Sequence, residues 1–194
     1  MARPREFDED EVLQAALQLF WEKGYEGTSL NDLTEAMGLT KSSLYRAFGS
    51  KEMLFWRVVE RYNRNFLGFR LEALAEPTSR RIAERLLYGM TELHSGERTP
   101  NGCLELNAAL ACSAITEPIR QELLRNRERF RVQLRDRFEE TVATAPLPPG
   151  MTSDDAASFV ISLIQGLAVQ AKAGVPQETA RRVVRAALLS WPEA

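Results

Sequence analysis

The segment 41–48 (KSSLYRAF) combines small hydroxyl side chains, a phenol and two cations, with Leu44 and Phe48 at helical spacing behind them. Short donors and cations on one face of a short helix suit contacts to base edges and phosphates in a major groove about 12 Å wide. This pattern indicates nucleic-acid recognition. The candidate DNA-contacting residues of the segment are Lys41, Ser42, Ser43, Tyr45 and Arg46.

Three further residues flank this segment with the chemistry of phosphate binding. Thr28 and Lys51 stand at the starts of the preceding and following predicted helices, where backbone N–H groups and the helix dipole favour an anion. Arg3 lies in a basic stretch before the first helix and is expected to form a flexible arm. Contacts of this kind position a protein on a duplex, whereas the groove-facing residues read the sequence.

The two cysteines and the single histidine offer little other chemistry. Cys103 follows Gly102 in the first turn of a predicted helix, where the dipole can lower a thiol pKa, so a sensor thiol and a buried packing residue are both open. Cys112 would lie on the opposite face of a regular helix, roughly 13 Å along its axis, so a disulfide between the two would need another chain or an unwound helix. His94, near a helix end, is expected to be solvated or capping.

Composition excludes several classes of protein. The 194 residues carry 25 Lys+Arg and 27 Asp+Glu, so bulk charge does not drive nucleic-acid binding. No catalytic set, phosphate-cradling glycine loop or metal-spaced cluster is present, so we expect no enzyme, no metal and no cofactor. No apolar run approaches the roughly 18 residues of a membrane span, and a cytoplasmic protein with no membrane partner is expected.

Apolar residues recur at helical spacing along the whole chain, which predicts an all-α protein of about nine helices. Capping residues, glycines and prolines set their limits. Segment 145–150 (APLPPG) is the clearest linker. The predicted helices cover about 8–23, 29–37, 41–48, 51–75, 79–94, 103–114, 118–144, 153–173 and 176–191.

The second and third helices meet at a tight turn containing Gly38, the arrangement of a helix-turn-helix, although the same pattern occurs in an αα corner of a helical bundle. Residues 1–52 contain six cationic and ten acidic side chains. Binding to a duplex therefore depends on the acids pointing away from the DNA. We expect residues 1–50 to form a three-helix DNA-binding head and 51–194 a larger helical body.

The amino-terminal third resembles the TetR/AcrR family of bacterial transcriptional regulators. The resemblance rests on residues 3–8 (RPREFD), 19–30 (LFWEKGYEGTSL) and 38–54 (GLTKSSLYRAFGSKEML), with Leu-Tyr-x-x-Phe-x-x-Lys-Glu as its most specific order. Residues 100–104 (PNGCL), 164–167 (IQGL) and 191–192 (WP) resemble one branch of the family more weakly. The match favours the helix-turn-helix interpretation over the αα corner.

The resemblance implies a homodimeric regulator of double-stranded operator DNA, a repressor by the family default, released by a small-molecule effector. Two last helices from each subunit would form a four-helix bundle. The candidate effector-pocket residues are Phe66, Phe69, Cys103, Asn107, Phe130 and Gln165. The candidate dimer-interface residues are Phe159, Ser162, Leu163, Gly166, Val184 and Leu188.

Two other functions stay open at this point. Some family members with Gly-Cys-Leu at this place look like thiol-based sensors of oxidants or electrophiles, which would give Cys103 that role. A helical adaptor that binds only protein is the alternative without DNA function.

Overall fold

In a computed structural model that describes residues 8–95, 99–110, 113–143 and 145–192, the chain is all helical and has ten helices within those ranges. Their bounds are α1 Glu9–Lys23, α2 Leu30–Ala36, α3 Lys41–Phe48, α4 Lys51–Phe66, α5 Phe69–Leu74, α6 Ser79–Ser95, α7 Leu104–Leu110, α8 Glu117–Thr141, α9 Ser153–Lys172 and α10 Gln177–Leu188. The predicted all-α class is confirmed. Among the described helices, none has the length and apolar character of a membrane span.

The first three helices begin at the caps that the sequence predicts. Asp8 accepts from the backbone N–H groups of Asp10 and Glu11 at 2.9 and 3.4 Å, and Thr40 accepts from that of Ser43 at 3.1 Å. Ser29 and Asp32 form a reciprocal capping box at the start of α2. Local side-chain chemistry therefore fixes the head helices.

The single fourth helix predicted over 51–75 is wrong, because the chain breaks at Leu67 and Gly68 into α4 and α5. Glycine weakens a helix interior. The break redirects the Phe69 ring onto α6 at Gly89, where an added Cβ would come within 2.6 Å of the ring. This tight packing explains why the long helix stops, and it accounts for the tenth helix.

The remaining helices follow the predicted order with small shifts at their ends. The sixth predicted helix is shorter than expected, since α7 ends at Leu110 and residues 114–116 form a turn. Helices α6, α8, α9 and α10 pack together in the body, and α7 packs on both α1 and α8. Helix α7 thus lies between the head and the body core.

Candidate DNA interface and effector cavity

The third helix presents its polar side to solvent. Leu44 and Phe48 are buried against the head core, whereas Lys41, Ser42, Tyr45 and Arg46 are exposed and Ser43 is half-buried. The Thr40 hydroxyl lies 3.0 Å from both the Ser42 and Ser43 hydroxyls, which joins the three at the start of α3. The surface of α3 therefore carries donors and cations and contains no acid.

Three acids of the head form ion pairs with cations outside α3. Glu9 pairs with Arg57 on α4, and Asp10 pairs with Arg61 at 2.6 Å. Asp32 binds Lys23 at 2.9 Å, and this bond is the main reason why the pKa of Asp32 is lowered. Each of these three acids therefore has a cation of the head or of α4 as its partner.

The side chains of Lys51 and Thr28 differ in how accessible they are to a DNA phosphate. The Lys51 ammonium lies 4.3 Å from the centre of the Tyr25 ring, half-buried, and this burial lowers its pKa. Thr28 is fully buried, and its hydroxyl donates to the Gly24 carbonyl at 2.7 Å. The prediction of a phosphate contact by the Thr28 side chain is corrected, because that hydroxyl is already bonded and the exposed Ser29 caps α2 instead. Arg3 lies outside the described residues.

A small cavity of about 60 Å³ lies in the body between α6, α7, α8 and α9. This volume is below the range of roughly 300–1,000 Å³ typical of small-molecule sites, so the cavity suits a compact ligand. Its walls combine many apolar side chains with a few polar ones. The lining residues are Arg70, Met90, His94, Cys103, Glu105, Leu106, Ala109, Leu123, Leu124, Arg127, Phe130, Ile161, Ile164, Gln165 and Ala168.

Three of the six predicted pocket residues line this cavity: Cys103, Phe130 and Gln165. The other three lie elsewhere. Phe66 packs edge-on against Trp21 with ring centres 5.3 Å apart, and Phe69 borders a separate surface groove beside Gly89. The Asn107 amide donates to the Trp21 carbonyl at 3.0 Å, which points it away from the cavity and toward the head.

Sequence reasoning missed Arg70, His94, Glu105 and Arg127. A usable signal existed for two of them: Arg127 interrupts the apolar stripe of α8 between Leu123 and Phe130, and His94 continues the buried face of α6 one turn after Met90. A charged or titratable side chain on a buried helical stripe is a candidate binding residue. The signal for Arg70 and Glu105 depends on the break at Gly68 and on the placement of α7.

His94 is buried, contrary to the expected solvated or capping role. Only 1% of the residue is exposed, and neither ring nitrogen has a hydrogen-bond partner. Burial, followed by the charge of Arg70, lowers the pKa of His94 to about 3. The imidazole is therefore neutral at physiological pH and leaves one donor and one acceptor unpaired.

Cys103 immediately precedes α7, and its carbonyl accepts the first helical bond, from Asn107, at 2.9 Å. The Tyr62 hydroxyl lies 3.7 Å from the Cys103 sulfur. Burial raises the pKa of this thiol, so the lowering expected from the helix dipole is wrong. Cys112 lies outside the described residues, and no group of three potential metal-ligating side chains occurs within the described ranges.

The predicted dimer-interface residues on α9 and α10 fall into two sets that differ in solvent exposure. Ser162 and Gly166 are exposed, while Phe159 and Leu163 are half-buried. Val184 and Leu188 are 0% and 4% exposed within the single chain, so their assignment to a partner-facing surface is corrected. They pack into the chain's own core because they lie on the side of α10 that faces α6.

Several hydrogen bonds join the head to the body beside the cavity. The Trp21 indole donates to the Gly102 carbonyl at 2.8 Å, and Lys172 donates to the Glu22 carbonyl at 2.7 Å. Glu26 accepts from the backbone of Ser113 at 2.9 Å, and its bonds to the segment before α8 lower its pKa to about 2. We name these contacts, together with the Asn107 bond to Trp21, the head–body junction.

Comparisons with known proteins identify the family to which this chain belongs. Residues 12–58 match the model of the bacterial regulatory proteins of the tetR family, and residues 80–187 match the tetracyclin repressor-like C-terminal domain. The chain is 30% identical over 194 residues to the transcriptional repressor ComR of Escherichia coli, covering 98% of this chain and 92% of that protein.

Solved structures agree with both matches. The regulator CifR, solved as a cysteine mutant with a 26-base-pair operator duplex, is 38% identical with a TM-score of 0.90, covering 98% of this chain and 100% of CifR. A TetR regulator from a Rhodococcus species is 37% identical with a TM-score of 0.63, covering 96% and 100%. The chain therefore belongs to the tetR family of bacterial regulatory proteins, and the relatives named here are transcriptional regulators.

Proposed function

We propose that this chain is a homodimeric repressor that leaves its operator when a small molecule occupies the cavity of the body. The observation that supports this most is that one short helix serves both sites. Helix α7 lines the cavity through Glu105, Leu106 and Ala109, and it holds the head through the Asn107 bond to Trp21.

In this proposal, residues 1–50 are the DNA-binding head and residues 51–194 are the effector-binding and dimerisation body. Ser42 and Ser43 contact the bases, and Lys41, Tyr45, Arg46 and Lys51 contact phosphates or groove edges. The exposed, acid-free surface of α3 supports this assignment. Operator binding of relatives such as CifR, which was solved with its duplex, supports the same partner here.

Release follows from differential affinity. A ligand that fits the cavity better when α7 is displaced stabilises that arrangement, and the displacement reaches α1 through the head–body junction. By linkage, operator DNA weakens binding of the same ligand by an equal factor. The geometry needs no catalytic group.

The dimer is proposed to use the outer faces of α9 and α10. Ser162, Gly166 and Val169 lie one turn apart on the exposed side of α9. Ala186 is exposed on α10, and the exposed Leu189 follows directly after that helix. A Cβ added at Gly166 meets no atom within 4 Å, so a partner helix has room for close approach. Two-fold pairing predicts half-sites about 34–36 Å apart or a multiple of this.

The experiment is a competition measurement on the purified full chain. Labelled duplex DNA flanking its coding region is bound at low salt, and a compound library is added while fluorescence anisotropy is followed. The proposal predicts compounds that release the DNA and that lose this effect when Leu106→Trp fills the cavity. Release that is unchanged in Leu106→Trp would place the effector elsewhere, and Leu71→Trp, at an exposed site, is the control.

A thiol-based sensor is the second candidate, favoured by Cys103 lining the cavity beside the Tyr62 hydroxyl. Because burial raises its pKa, the thiol is expected to react slowly unless a bound electrophile is held against it. Cys103→Ser should keep operator binding and abolish release by electrophiles such as N-ethylmaleimide. Persistent release would remove Cys103 from the mechanism.

A further inference from the structure

We propose that the cavity selects a small organic acid, with one carboxylate and a compact apolar body. This inference rests on the proposed function, since it names the class of effector for that cavity. It comes from three features of the lining: two arginines without ion-pair partners, a buried histidine with no hydrogen bond, and apolar walls.

The charges of the cavity favour an anion. Arg70 and Arg127 both line it, and neither makes a salt bridge to any described residue. This sets them apart from the arginines of the outer surface of α8, such as Arg125 and Arg129, which both pair with Glu122. Two guanidinium groups without ion-pair partners give one cavity two sets of charged donors suited to a carboxylate.

Each guanidinium is held in place by an uncharged neighbour. Arg70 stacks over the Phe130 ring at 4.6 Å, and its buried Nε has no hydrogen-bond partner. With the Gln165 amide oxygen facing Arg127, that oxygen accepts from Nε and Nη1 at 3.3 and 3.2 Å. Stacking and a neutral acceptor orient the cations without neutralising them, so their charge stays available to a ligand.

Glu105 is the one carboxylate among the lining residues. One of its oxygens accepts from the Asn63 amide at 3.2 Å, which ties it to α4. Two cations and one anion leave a net positive charge, since the histidine is neutral. This balance matches a ligand with a single negative charge and disfavours a cation or a polyanion.

His94 supplies a polar anchor for a ligand, because both of its ring nitrogens lack a hydrogen-bond partner in the protein. A buried imidazole with two unbonded nitrogens is unfavourable until a partner arrives, and the neutral ring can donate one hydrogen bond to a ligand oxygen. One carboxylate can accept a hydrogen bond from this imidazole and from an arginine at the same time. The rest of the wall, including Met90, Leu123 and Ile164, accommodates an apolar body.

The test compares acids with their neutral amides on the full chain. Butanoate, hexanoate, benzoate and phenylacetate are titrated calorimetrically near neutral pH beside butanamide, hexanamide, benzamide and phenylacetamide. We expect the affinity of at least one acid to exceed that of its amide by a factor of about ten or more. Equal affinity within every pair, or no binding of any acid at millimolar concentration, overturns the proposal.

Charge-removing variants locate the site. Arg127→Gln and Arg70→Gln should each weaken binding of the acid about tenfold and weaken binding of the amide much less. Arg129→Gln, two residues along the same helix and exposed, should change neither. If one pocket variant fails to fold, the other carries the test. Unchanged acid affinity in a folded pocket variant contradicts the assignment.

Operator binding separates this inference from the function on which it rests. Acids that bind with the expected arginine dependence but leave operator DNA bound support the ligand class and contradict release through the cavity. Release by neutral compounds alone, with no acid binding, contradicts the ligand class and leaves the ligand-responsive repressor intact.

Discussion

At the scale of single residues, His94 is a buried titratable group that costs stability. The imidazole is buried without a hydrogen bond, and the folded state holds it neutral because its pKa is lowered to about 3. An unfolded histidine has a pKa of about 6.5. As the pH falls through this value the unfolded chain binds a proton that the folded chain does not, so folding stability is lost on acidification.

We therefore expect the unfolding free energy to fall by about 2 kcal/mol between pH 7.5 and pH 5, from linkage at His94. His94→Leu should abolish most of this dependence and raise stability at neutral pH by about 1–2 kcal/mol. Urea unfolding across the pH range measures both effects. His94 is the only histidine in the chain, and the pKa values of Glu26 and Glu117 are lowered to about 2, below this window.

An equally steep pH dependence in His94→Leu would contradict this account of the histidine. Binding of the organic acid should weaken in His94→Leu, because the ligand loses the imidazole as a hydrogen-bond donor. Gain of stability together with loss of binding is the expected signature of a binding residue.

Arg46 is the cleanest single test of the DNA surface, since Lys51 also packs on Tyr25 and its removal would disturb the head. Arg46→Ala should weaken operator binding and reduce the slope of log affinity against log salt by about 0.9, the value for one lost phosphate contact. Arg125→Ala, which removes an exposed cation from the body, should leave the slope unchanged. An unaltered slope in Arg46→Ala would remove this residue from the interface.

At the scale of helices, the head–body junction is the contact through which the cavity would act on DNA. Asn107→Leu removes the amide bond to the Trp21 carbonyl and leaves that acceptor unpaired. We expect a loss of about 1–2 kcal/mol in stability. Operator affinity should also fall, with an unchanged salt slope because no phosphate contact is lost.

Chemical denaturation and operator titrations of Asn107→Leu check this expectation. Asn65→Leu, at an exposed position of α4, is the matched control. Wild-type operator affinity in Asn107→Leu would show that the junction does not position the head.

The helices themselves were largely predictable, because caps and periodicity are local. Asp8, Ser29 and Thr40 cap where the sequence indicates, and α3 has its predicted bounds. The break at Gly68 was missed, since it depends on Phe69 packing against Gly89, a contact between distant segments. For the same reason half of the predicted pocket was misplaced: which side of a helix faces a cavity is decided by its neighbours.

At the scale of the whole molecule, the outer faces of α9 and α10 determine the expected assembly. Gly166→Arg places a long cation where two helices would meet, and it should convert the dimer to a monomer without unfolding it, since the site is open in the single chain. Sedimentation velocity measures the mass. Gln133→Arg, at an exposed position of α8, should stay dimeric, and a dimeric Gly166→Arg would contradict this interface.

The central claim is that the chain reads a two-fold DNA site through α3. Selection of duplexes from a random library by the purified full chain, with binding then titrated against salt, tests it most directly. We predict enrichment of one pseudo-palindromic sequence whose affinity falls steeply with salt and is lost in Arg46→Ala. Recovery of no enriched sequence, or of one that Arg46→Ala binds equally well, would contradict the account.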